Sequence, residues 1–129
     1  MITRITIKSD TGDVPIEAAY KDRLTVTRTS IRYEYEPMRP TLTNPPKKWT
    51  ISSSDRQFET MFHNLCEEVR FLMNRPEEPE AADATRTTFS VMQDDGKKIE
   101  RTFAEGDERY TICFTIVDQM IKHAGRVEP

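Results

Sequence analysis

Few residues of this chain have types and spacings that could do chemistry. Glu59, His63 and Glu67 recur every fourth position, so on a helix the imidazole lies between two carboxylates. Such a trio could hold a metal or pair within itself. No second His or Cys is placed to complete a metal site. The apolar residues of the same stretch fall on another arc, so the trio reads as an exposed, ion-paired helix surface. His123 falls in a last helical turn, where a cation meets the favourable end of the helix dipole. Cys66 flanks an apolar arc and Cys113 lies on one, and both read as small buried hydrophobes. A cysteine nucleophile needs a base and an electropositive niche, and no suitable spacing supplies them.

Asp94-Asp95-Gly96 has the look of a calcium loop but lacks the later oxygen ligands and the closing Glu, so it reads as a hairpin turn. Asp55 and Asp107 read as helix caps before catalytic acids. No P-loop, G-x-G-x-x-G or G-x-S-x-G is present, and four glycines leave little room for a phosphate cradle. The expectation is therefore no catalytic residue, no cofactor and no metal. Arg28, Arg32, Arg39, Lys47 and Lys48 lie near Tyr33, Tyr35 and Trp49, the mixture single-strand binders use. However, Tyr33 and Tyr35 share the parity of Ile31 and so face the core, and Glu34 and Glu36 sit beside the arginines. Nucleic acid is disfavoured.

These residues must be positioned by strands and two helices. Ile5 and Ile7 alternate with Arg4, Thr6 and Lys8 across residues 2–8, a strand of period two. Residues 9–22, with Gly12 and Pro15, read as irregular. Leu24 and Val26 form a second strand. Ile31, Tyr33 and Tyr35 form a third, and the change of parity near Thr29 and Ser30 marks a tight turn or bulge there. Four prolines make 37–46 a loop. Trp49 and Ile51 point inward from a fourth strand.

Ser54 or Asp55 is the expected cap of a helix carrying Phe58, Met61, Phe62, Leu65, Val69 and Leu72 at helical spacing and stopping before Pro76. Residues 76–86 are acidic (Glu77, Glu78, Glu80, Asp83) and carry two prolines, which predicts a mobile connector. Phe89 and Val91 form the next strand. Asp95-Gly96 turns the chain and Ile99 and Phe103 return it. A second helix runs from an Asp107 cap to about His123, with Gly125 at its C′ position.

The order is ββββα-ββα. The last strand and helix of each block align at a constant offset of 52 residues: Ile51 with Phe103, Asp55 with Asp107, Phe58 with Tyr110, Phe62 with Phe114, Leu65 with Val117 and Val69 with Ile121. A shared turn geometry or an internal duplication both give this spacing, and both demand equivalent placement of the two helices. Each strand has one polar face, carrying Thr25, Thr27, Arg32, Glu34, Thr50, Ser52, Thr88, Ser90, Glu100 and Thr102. A sheet covered on both sides would be apolar on both. The expected fold is α+β: one domain over 1–129, with a mostly antiparallel sheet of five to six strands and two helices on one face.

The second helix carries a surplus. Beside its inner arc (Tyr110, Cys113, Phe114, Val117, Ile121), Ile112, Ile116 and His123 form a second arc, with Met120 between the two. Something must cover it: the 14–20 segment with Val14, Pro15, Ile16 and Tyr20, or a second protein chain. Ile112, Ile116, Met120 and His123 are thus the candidate interface for a homodimer or protein partner.

The hairpin I-R-Y-E-Y-E-P at 31–37, Trp49, and D-x-x-F-x-x-M-F-x-x-L-C at 55–66 together resemble small bacterial α+β proteins of uncharacterised function, over about residues 23–70. The resemblance implies a fold and carries over no catalytic or ligand residue.

With 19 basic against 22 acidic residues, a net of -3, the chain has no general drive toward phosphate backbones or anionic lipid. No apolar run approaches a membrane span. The opening MITRITIKSD has no apolar signal stretch and cysteines are only two, so a cytoplasmic setting is expected. A non-catalytic interaction or self-associating domain is the leading functional expectation. The alternatives are a small enzyme with a site assembled from dispersed residues, and a small-molecule binder with a cavity lined by Tyr33, Tyr35, Trp49 and Phe89.

Overall fold

Alternation in the strands builds a six-stranded, wholly antiparallel sheet in the computed structural model, which describes residues 1–11, 14–74, 86–104 and 108–125. The strands are β1 (Ile2–Asp10), β2 (Tyr20–Val26), β3 (Ser30–Pro37), β4 (Lys47–Ser52), β5 (Arg86–Gln93) and β6 (Lys98–Ala104). The helices are α1 (Arg56–Met73) and α2 (Glu108–His123), giving the expected order ββββα-ββα. The spatial order is β4-β3-β2-β1-β5-β6. The Asp107 cap and all of the 76–86 connector except Arg86, which opens β5, lie outside the described residues.

Two strands are longer than the alternation of hydrophobics indicates. Ser9, Asp10 and Tyr20–Asp22 are ladder residues, with Ser9 opposite Asp22 and Asp10 opposite Lys21, where the sequence predicts irregular chain. The apolar signal fails there because Ser9 and Asp22 occupy positions that parity assigns to the helix side. The β2–β3 turn closes with Thr27 N–H donating to Ser30 O at 2.9 Å, and the Thr27 and Ser30 hydroxyls lie 2.8 Å apart. Gly96 takes φ +87° in the β5–β6 turn, a conformation that favours glycine.

α1 begins at Asp55, whose carboxylate accepts from Gln57 N–H at 2.7 Å. It starts just after edge strand β4, and its end is held by opposite edge strand β6. There Arg101 Nη1 donates to Leu72 O at 3.1 Å and to Met73 O at 3.0 Å. α1 therefore crosses the sheet from edge to edge. The lengths agree: 18 residues at ~1.5 Å span ~27 Å, and five inter-strand gaps of ~4.8 Å span ~24 Å. α2 leaves β6 and returns toward β4, antiparallel to α1 and packed beside it, with His123 at the Asp55 cap.

An approximate two-fold axis normal to the sheet, between β1 and β2, interchanges the two halves. It exchanges β4 with β6, β3 with β5 and β2 with β1, and sends α1 onto α2. The register carries it residue by residue. Lys47, Trp49 and Ile51 descend one edge in the same rows, reversed, that hold Ile99, Arg101 and Phe103 at the other. Each of these pairs is separated by the same 52 residues. The equivalence of the helices expected from that offset is thus a property of the whole sheet.

The core fills the layer between sheet and helices. Ile5, Val26, Ile31, Phe58, Leu65, Val69, Leu72, Phe89, Cys113 and Met120 are all fully buried in it. Burying each large side chain contributes ~1.5–3 kcal/mol relative to exposure. Among the described residues, no helix is long and apolar enough to cross a membrane.

Candidate functional site

The strip on α2 is divided by the fold. Met120 is fully buried and Ile116 packs against the core, while Ile112 remains 45% exposed. His123 Nε2 lies 2.9 Å from Asp55 Oδ2, which turns this side of α2 toward α1. Val14 and Ile16 of the 14–20 segment are themselves exposed, and the element packed beside α2 is α1. α2 is wedged between the sheet and this neighbouring helix, so two of its sides must be apolar.

The other candidates separate. His63 Nε2 is 3.8 Å from Glu59 Oε1 on the exposed side of α1. Cys66 is buried among apolar groups, and burial pushes its thiol up to about 11, against a smaller opposing pull from Arg70. Among the described residues, no three His, Cys, Asp or Glu side chains converge as a metal site. Tyr33 and Trp49 stack with ring centroids 5.5 Å apart, and Phe89 meets Phe103 at 5.8 Å and Tyr110 at 5.7 Å. Trp49, Phe89 and Phe103 belong to the core, and Tyr33 and Tyr110 pack against it.

One polar group on the helix side is not legible as a site in sequence. Tyr33 Oη donates to Asp22 Oδ2 at 3.1 Å. Ser9 also bonds Asp22 and lies 3.2 Å from the Thr87 hydroxyl, which in turn meets Tyr110 Oη. A chain of five polar side chains thus crosses from β3 to α2. Burial raises the Asp22 carboxyl above the ordinary carboxylate range, against the lowering effect of its Tyr33 and Ser9 bonds. Burial first, then the Asp22 charge, keeps the Tyr33 hydroxyl protonated well above its ordinary value. The signal was present in parity, because Tyr20, Asp22, Leu24 and Val26 share one face. Its chemistry is that of satisfied hydroxyls around a half-buried acid.

The opposite sheet face is open to water and wholly different. The register sets its side chains in rows. One row reads Lys48, Glu34, Arg23, Lys8, Thr88, Thr102, and the next Thr50, Arg32, Thr25, Thr6, Ser90, Glu100. Eight cations project here (Arg4, Lys8, Lys21, Arg23, Arg32, Lys48, Arg86, Lys98) with four carboxylates (Asp10, Glu34, Glu36, Glu100). Eight minus four leaves +4 on this face. Among the described residues this local excess of cations is concealed by the chain's overall net of -3.

At the centre, Lys8 and Arg23 are direct cross-strand partners. Like charges so placed are destabilising. Arg32 pairs with Glu34 at 3.1 Å and Lys98 with Glu100 at 2.7 Å. Among the described residues, no carboxylate lies within ion-pair distance of Arg4, Lys8 or Arg23. Lys98 and Ser90, and more distantly Lys8, hold the Glu100 carboxyl below its ordinary value. Two shallow depressions of about 560 and 380 Å³ share Lys8, Arg23 and Glu34, making one trough across the face. The threonines and Arg32, Glu34 and Glu100 were legible as the wet face. The Lys8–Arg23 contact needed the register.

No family model matches the chain, no curated protein matches it, and no solved structure matches its fold.

Proposed function

We propose that this is a non-catalytic protein-interaction domain that works through its open sheet face. The observation that carries this reading is the Lys8–Arg23 pair: two like charges opposed at the centre of a helix-free face, with no carboxylate of the described residues within ion-pair distance of either. A sheet selected for stability alone favours opposite charges or threonines at such positions. A cost retained at the middle of an accessible trough is accounted for by a partner that supplies the missing contact. The helix side offers less surface for the purpose, because Met120 and Ile116 of the apolar strip are taken up within the fold.

Site-specific photocrosslinking in the native host tests the reading. A photoreactive residue replaces Thr25, in the trough, or Glu67, on the outer side of α1. A discrete protein adduct from position 25 and none from position 67 is the expected result. An adduct of twice the chain's mass would make that partner a second copy. Adducts confined to position 67, or none at either position, would overturn the proposal.

A further inference from the structure

We infer that the trough around Lys8 and Arg23 receives an acidic segment of the partner protein, its carboxylates lying between these two cations. This rests on the interaction reading above and adds the chemistry of the partner. Three observations favour an acidic peptide. The described residues of this face carry +4 while the other described residues are close to balanced, so the attraction is local to this surface. Arg4 and Lys8 stand on the same face of β1 with Thr6 between them, and Arg23 stands beside Lys8 on β2. Side chains two apart on one strand repeat every ~6.8 Å, close to the same-face repeat of an extended peptide laid along β1. The hydroxyls of Thr6, Thr25 and Thr88 lie between the cations and can donate to carboxylate oxygens.

A nucleic-acid strand fits this face less well. Single-strand binders stack bases on aromatic rings, whereas Tyr33, Tyr35 and Trp49 all lie on the helix side of the sheet.

The test is an amide-resonance titration of the full chain with a deca-glutamate peptide, a deca-glutamine peptide and a ten-nucleotide oligothymidylate. Deca-glutamate should shift amides of β1 and β2 around Thr6, Lys8, Arg23 and Thr25, with affinity falling as salt rises. Deca-glutamine should shift none. Lys8→Glu should weaken deca-glutamate binding at least about tenfold. Because Glu at position 8 would face Arg23 as an opposite charge, the melting temperature of this variant should hold or rise, which separates loss of binding from loss of fold. Deca-glutamate shifts absent or centred on another surface, unchanged affinity in Lys8→Glu, or tighter binding of the oligothymidylate would each overturn the inference. A crosslinked protein at position 25 with no deca-glutamate binding would defeat the acidic segment alone. No crosslink at position 25 would defeat the interaction reading beneath it.

Discussion

His123 of α2 is bonded to Asp55, the residue that caps α1: Nε2 stands 2.9 Å from Oδ2 while the other carboxylate oxygen accepts from Gln57 N–H. One side chain thus closes the start of the first helix and anchors the end of the second. The Gln57 bond first, and His123 second, hold the Asp55 carboxyl below its ordinary value of 3.8.

A carboxyl lowered on folding contributes stability that is present above the unfolded value and lost as pH falls through the folded one. Asp55→Asn keeps a capping oxygen but has no charge to lose. Denaturant melts from pH 7 down to 2 should show the parent losing stability relative to Asp55→Asn as pH falls below about 3.8. Parallel curves would refute the assignment.

Asp22 gives the opposite sign. Its carboxyl is raised by burial, so its contribution is fully present below 3.8 and is lost as pH rises through the folded value. Asp22→Asn retains an acceptor for Tyr33 Oη without a charge to desolvate. The variant should gain stability relative to the parent as pH is raised from 3 to 7. Chemical denaturation across that range checks it, and a variant that loses ground as pH rises would show that the charge itself is needed.

Arg101 ends α1 from another element, through the last-turn carbonyls of Leu72 and Met73. Its guanidinium also lies 5.3 Å from the Phe103 ring centroid. Arg101→Ala should cost about 2 kcal/mol. Hydrogen exchange should show the last turn of α1 opening more readily than its first. Uniform exchange along α1 would remove this role.

The divided strip on α2 makes a contrast within one helix. Met120→Ala should cost about 2–5 kcal/mol, the range for a large buried side chain. Ile112→Ala, at a position 45% exposed, should stay within about 0.5 kcal/mol. Equal effects in thermal melts would show that the strip is not divided as described.

Much of this fold was legible because its local signals agree. Asp55, Phe58, Phe62, Leu65 and Val69 announce α1, Asp95-Gly96 announces a hairpin, and threonines opposite the isoleucines announce a sheet covered on one face. Legibility stops where a position breaks the pattern of its own strand. Asp22 and Arg101 carry charge on the helix side, the first inside a hydroxyl network and the second under a helix end. Alternation reports only apolar positions, so it shortened β2 and was silent about both. Strand neighbours are likewise beyond alternation, which assigns a residue to a face but not to a partner. Lys8 is visibly polar in sequence, yet that it meets Arg23 on one side and Thr88 on the other follows only from register. The open face was therefore legible as wet, and its charge pattern was not.

The placement of β1 inside the sheet affects synthesis. Its first edge finds β2 almost at once, but its second waits for β5, since Ile5 pairs with Val91. At ~5–20 residues per second, that partner emerges on the order of ten seconds later. During this interval a nascent four-stranded meander presents β1's bare amides and carbonyls to whatever is near, a template on which neighbouring chains on a polysome could pair. Slowing translation between Ser52 and Arg86 would lengthen that exposure and raise aggregation without altering a single contact of the finished molecule.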